Sequence, residues 1–149
     1  MVKRTSHEHA SCAVARPLDA IGDGWSLLII RDAFDGLRRF GQFQKSLGVA
    51  KNILAARLNN LVVQGILETV PAGGHQEYVL TDKGRALFPV LVALRQWSEE
   101  YYFEPAEIRP RLVDREHGRP VAPLEIRSAD RRQLTADDTV IALLPGTAA

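Results

Sequence analysis

Residues 51–64, KNILAARLNNLVVQ, place amides and small side chains where a solvated helix ordinarily carries Glu and Lys. Leu54, Leu58, Leu61 and Val62 recur at i, i+4, i+7 and i+8, which defines one buried face of a helix. Asn52, Ala55, Ala56, Asn59 and Asn60 lie mostly outside that face, flanked by Lys51 and Arg57. An asparagine amide offers a donor and an acceptor together, which matches the adenine edge in the major groove of DNA. Alanines let a helix backbone approach the base edges. Lys51 and Arg57 would meet phosphates, which supply affinity while base contacts supply specificity. The chemistry implied is recognition of a duplex.

Bond-making chemistry has no comparable pattern. No nucleophile–base pair and no carboxylate pair is brought together by the spacing, so an enzyme is not expected. His7, His9, His75 and His117 are scattered without ligand spacing, and neither a metal nor a cofactor is expected. Cys12 is the only cysteine, so no disulfide can form within the chain. It sits just before a predicted helix, where a thiol has a lowered pKa and reacts as thiolate. The plainer reading is a small residue kept for packing.

The elements that must position these residues follow from periodicity. Val14, Leu18 and Ile21 give a first short helix that starts near Arg16, because Pro17 is tolerated only in a first turn. Residues 25–36 give a second helix stopped by Gly36, and 38–48 a third, short one with Phe40, Phe43 and Leu47 inward. The fourth runs from Lys51 to Gln64 and stops at Gly65. Strands at 66–70 and 77–80 pair as a hairpin with its tip at Pro71–His75, exposing His75 and Gln76. Thr81 caps a long helix over 82–103 that Pro89 should kink. Beyond it, five prolines punctuate β-like pieces (RLV, LEIR, TVIALL), read as a small β appendage.

A chain of 149 residues, 46% hydrophobic and 25% charged, suits a globular domain with a core of its own. The net charge is only +1, but residues 1–66 hold nine Lys/Arg against five Asp/Glu, while 67–104 hold three against six. Positive charge therefore gathers around the unusual helix, and Arg38 and Arg39 can add to its phosphate contacts. The N-terminus lacks the apolar core of a signal peptide, and WSLLII is too short to span a bilayer. A cytoplasmic protein is expected.

Two helices joined by a short turn and followed by a hairpin make a winged helix-turn-helix, whose second helix enters the major groove. At this point the sequence resembles the HxlR-type branch of the MarR-like winged-helix regulators. The Cys before the first helix, IG-x-x-W opening the second and RF before the third resemble its N-terminal signature. ILAARLNNLVVQGIL resembles its recognition helix, and EYVLTDKGRALFPVLVALRQW its wing strand and dimer helix. The resemblance covers about residues 11–103. Relatives usually carry Pro after the Cys, where Ala13 stands here, and a Ser or Thr cap at the position of Ala50. Some carry paired cysteines in a C-terminal metal ribbon; this tail has none.

The resemblance implies a homodimeric regulator of transcription, most often a repressor, that binds an operator of double-stranded DNA. It implies a mainly α fold with a small β wing, dimerising through its N- and C-terminal helices. Residues 1–104 would form this domain and 105–149 a β-rich extension. The DNA-binding set would be Arg38, Arg39, Lys51, Asn52, Ala55, Ala56, Arg57, Asn59, His75 and Gln76. In some relatives the Cys matching Cys12 senses electrophiles or oxidants. Trp25, Trp97 and Tyr101 either line a small-molecule effector pocket at the dimer interface or pack in cores. Winged helices also serve as protein-interaction adaptors that never touch DNA, and that reading stays open on sequence alone.

Overall fold

The computed structural model describes residues 5–146. Its elements run α1 (Ala15–Ile21), α2 (Ser26–Phe34), α3 (Phe40–Leu47), α4 (Lys51–Val63), β1 (Leu67–Ala72), β2 (His75–Leu80), α5 (Asp82–Arg85), α6 (Phe88–Tyr101), β3 (Ile126–Arg127) and β4 (Gln133–Leu134). This is a winged helix-turn-helix followed by an extension. Two compact units divide the chain, Met1–Leu91 and Val92–Ala149. The division falls inside α6, whereas composition placed the domain boundary after residue 104.

In the first unit the leucine stripe of α4 supplies the core. Leu54, Leu58 and Leu61 join Ile29 and Ile30 of α2 and Phe43 of α3, all at 0% exposure. Burying a side chain of this size stabilises by roughly 1.5–3 kcal/mol relative to leaving it in water. The end of α4 is a Schellman closure. Ile66 N donates to Leu61 O and Gly65 N to Val62 O, and Gly65 takes the left-handed φ of +71° that this closure requires. Buried Ile66 and Leu61 belong to the same core cluster, so the closure is apolar as well as hydrogen-bonded.

The wing is longer and tighter than expected. β1 and β2 pair antiparallel from Leu67↔Leu80 to Ala72↔His75. Pro71 and His75 therefore lie in the strands, and the turn is Gly73–Gly74 alone, at φ +55° and +84°. Two positive φ values in a two-residue loop match the twist of the strands it joins. Thr81 accepts from Gly84 N at 3.1 Å as expected of a cap, and its hydroxyl also reaches Ile66 O at 3.1 Å. The foot of the wing is thereby fixed to the end of α4.

Pro89 breaks the long helix and does not merely kink it. α5 stops at Arg85 and α6 restarts at Phe88. Pro89 then stands in a first turn, where its missing N–H would have had no intrahelical acceptor.

In the second unit the expected β-rich extension holds little strand. Two-residue β3 and β4 pair, and Val113 and Pro120 form one bridge. The segment TVIALL is not in a strand: Val140, Ile141, Leu143 and Leu144 are 76–100% exposed and no strand among the described residues offers them an edge. Polar side chains order the rest. Gln96 donates to Ala122 O at 3.0 Å and accepts from Leu124 N at 2.8 Å. Glu99 meets Arg109 at 3.8 Å and Arg111 at 3.1 Å.

Candidate nucleic-acid interface

Burial of its leucines turns Lys51, Asn52, Ala55, Ala56 and Asn59 of α4 to solvent. α4 contains no Asp or Glu, so nothing on the helix offsets its positive end. Ala50 begins the helix with extended backbone and no side-chain cap. The first N–H groups of α4 are left without intrahelical acceptors, an arrangement that favours an anion at this end. A Ser or Thr cap would have stabilised the helix by about 1 kcal/mol and occupied one of those donors. Asn60 does not belong to this surface: its Nδ2 donates to Ala20 O at 3.4 Å.

Arg57 is not the free cation that its sequence position suggested. Its Nε lies 3.3 Å from Asp23 Oδ1, and its side chain is 35% exposed. Asp23 is the residue that sequence reasoning missed, since Gly22-Asp23-Gly24 read only as a break. Its Oδ1 accepts from Trp25 N at 2.8 Å and Ser26 N at 2.9 Å, and its Oδ2 accepts from Ser26 Oγ. Burial works to raise the Asp23 pKa. The hydrogen bonds from Ser26 Oγ and from the two backbone N–H groups, with the Arg57 charge, outweigh burial and hold it below the usual carboxylate value. Asp23 thus starts α2 and anchors α4 through Arg57. An Asp three residues before a Ser at a helix start was the available signal; its partner 34 positions on was not predictable from spacing.

Arg38 and Arg39 are exposed and share one wing carboxylate. Glu77 stands 3.4 Å from Arg38 Nη1 and 3.9 Å from Arg39 Nε. The backbone around them is fixed: Gln42 Oε1 accepts from Arg38 N at 2.9 Å and Arg39 N at 3.0 Å, and Tyr78 N donates to Arg38 O at 2.7 Å. The two guanidinium groups keep more than half of their side-chain surface in water. His75 and Gln76 are exposed at the start of β2, beside the glycine turn.

The remaining candidates separate. Cys12 is exposed, and hydrogen bonding by the backbone of Ala15 and Val14 lowers its thiol pKa below the ordinary value. Trp25 packs against the core of the first unit. In the second unit, Trp97 contacts the rings of Tyr101 and Tyr102 at centroid distances of 5.8 and 5.4 Å. Among the described residues, no three His, Cys, Asp or Glu are grouped to hold a metal ion, and no helix is long and apolar enough to cross a membrane.

Known proteins resemble this chain in sequence and fold. The chain is 42% identical over 107 residues to the HTH-type transcriptional regulator Rv3095 of Mycobacterium tuberculosis (strain ATCC 25618 / H37Rv), covering 70% of this chain and 68% of that protein. The crystal structure of PA1607, a candidate transcription factor, is 65% identical and superposes with a TM-score of 0.89, over 93% of this chain and 99% of that one. The reduced form of the transcriptional regulator YodB from B. subtilis is 29% identical, with a TM-score of 0.54 over 64% of this chain and 98% of that one; YodB has also been solved quinone-bound. The HxlR-like helix-turn-helix profile matches residues 20–106, from the end of α1 through the wing and α6. With its recognition-helix order, its wing and these relatives, the chain belongs to the HxlR-like helix-turn-helix family of transcriptional regulators.

Proposed function

We infer that the protein binds operator DNA as a homodimer and represses transcription in the cytoplasm. The observation that carries this reading is the outer face of α4: Lys51, Asn52, Ala55, Ala56 and Asn59, all exposed and small, amide-bearing or basic, on an acid-free helix whose N-terminal N–H groups lack a side-chain cap. Asn52 and Asn59 would read base edges, Ala55 and Ala56 would admit the backbone, and Lys51 would meet a phosphate. Arg38 and Arg39 would add phosphate contacts from before α3, and His75 with Gln76 would touch the backbone or minor groove from the wing. Arg57 would act mainly by holding α4 through Asp23. Two such helices in a dimer would read half-sites roughly one helical turn apart.

Release from DNA would follow oxidation or electrophilic modification of Cys12, or a small ligand. The exposed thiol with its lowered pKa supports the first route, as does the existence of reduced and quinone-bound forms of YodB. No catalysis enters this reading.

Fluorescence anisotropy tests it. The protein is titrated into the duplex upstream of its own gene and into a scrambled duplex, at two salt concentrations, with and without a thiol oxidant. The expected result is tight, sequence-dependent binding that weakens with salt. Loss on oxidation in wild type, retained binding in oxidised Cys12→Ser, would place the signal at Cys12. Equal, weak binding to both duplexes, extended to a random duplex pool without enrichment, would refute DNA recognition.

A further inference from the structure

The first unit contains a cavity of about 480 Å³ that no part of the DNA-binding reading uses. Its apolar wall is built from Pro17, Ala20 and Ile21 of α1, Ile66 at the foot of the wing and Leu87 between α5 and α6. This volume lies in the range that encloses small organic ligands, and such sites pair an apolar wall with a few placed polar groups. We propose that this cavity binds an apolar organic anion, with Lys83 as its charge partner.

The polar groups at the cavity favour an anion over a cation. Lys83 Nζ donates to Gln64 O at 2.6 Å, and an ammonium has three donors, so two remain for a ligand. Arg16, a second cation on the lining, spends its Nε on Ala10 O and keeps its terminal nitrogens. Of the two acids on the lining, Asp19 is engaged and Glu8 is open to solvent. Asp19 Oδ2 accepts from Ser6 Oγ at 3.0 Å and His7 N at 2.8 Å. Glu8 keeps three quarters of its side chain in water. Among the described residues, the donors of Lys83 and Arg16 therefore stand beside the apolar wall while the one uncommitted carboxylate is largely hydrated. A carboxylate or sulfonate on a ring or short chain matches those donors.

The site also has a place in the architecture. Gln64 ends α4 and Ile66 precedes β1, so an occupant touches the joint between the recognition helix and the wing. This gives the small-molecule effector of the proposed function a location, and in that respect it rests on that reading. Binding to the cavity itself is measured without DNA, so either claim can fail alone.

The test uses the full chain and two fluorescent probes of one shape, the anionic anilinonaphthalene sulfonate and the uncharged phenylnaphthylamine. Saturable binding of one sulfonate per chain is expected, with methyl NMR shifts at Ile21, Ile66 and Leu87. Lys83→Met should weaken the sulfonate about tenfold, the loss of one charge-assisted contact, and leave the uncharged probe unchanged. Lys83→Arg should retain most of the affinity. Equal sulfonate affinity in Lys83→Met would overturn the proposal. So would shifts confined to Leu94 or to the methyls of Val140–Leu144, which would mark binding to exposed apolar surface elsewhere. Should Lys83→Met fail to fold by circular dichroism, the wild-type methyl map decides alone.

Discussion

α4 and α6 each leave a row of side chains in water, and the two rows have opposite chemistry. On α4 the row is Lys51, Asn52, Ala55, Ala56 and Asn59, and of the helix's aliphatic residues only Ile53 and Val63 are exposed as well. On α6 it is Val90, Leu94, Trp97 and Tyr101, spaced i, i+4, i+7 and i+11 and 46–65% exposed. A row of bulky apolar residues at that spacing is the seam of a helix that packs on another helix. A row of amides and alanines loses little by staying wet and packs poorly on an apolar partner. Exposure in a single chain thus has two meanings here. The α6 row suits burial by a second copy, as the homodimer reading requires, and the α4 row suits a polar groove.

Substitutions can break this contrast. The largest effect should come from the inner face of α4, which the contrast treats as core. Leu58→Ala removes a side chain at 0% exposure and should cost about 2–5 kcal/mol in urea denaturation. Next comes the α6 row. Trp97→Ala should weaken self-association by about 2 kcal/mol or more in analytical ultracentrifugation, with monomer secondary structure intact, if that row is an interface anchor. A dimer unaffected by this change would leave the row as ordinary exposed surface.

The two faces of α4 were legible in the sequence, because they follow from spacing. The stripe of Leu54, Leu58 and Leu61 is buried as its period demanded, and the helix ends within a residue of where Gly65 predicted. What spacing could not supply was pairing across distance. Arg57 reads as a flanking cation until Asp23 is seen 3.3 Å from it, and Glu77 reads as an ordinary strand residue until both arginines are found beside it. TVIALL was misjudged for the same reason: β-branched composition proposes a strand, but only a neighbouring edge makes one.

The Asp23–Arg57 link sharpens the comparison further, since it separates an orienting cation from a contacting one. The native pKa of Asp23 is depressed. Its stabilisation is therefore complete above the unfolded carboxylate pKa and fades as pH falls through the lower native value. Asp23→Asn should remove that acid-side loss and cost about 1 kcal/mol or less at neutral pH, because the group is partly solvated and the amide can still cap α2. Denaturation midpoints followed down the acid limb would show it. An unchanged acid limb would mean that the hydrogen bonds and charge gathered on Asp23 do not stabilise the fold in solution.

The central claim is that the outer face of α4 reads DNA, and Ala55→Glu tests it most directly. Ala55 is exposed, and glutamate is a good helix former, so folding should be unaffected. Duplexes enriched by the wild-type protein from a random pool would be titrated with both proteins at one salt concentration. The account predicts that the variant loses sequence-specific binding while keeping its thermal midpoint, because a carboxylate would stand where base edges and phosphates must approach. Undiminished specific binding by a folded Ala55→Glu protein would contradict it.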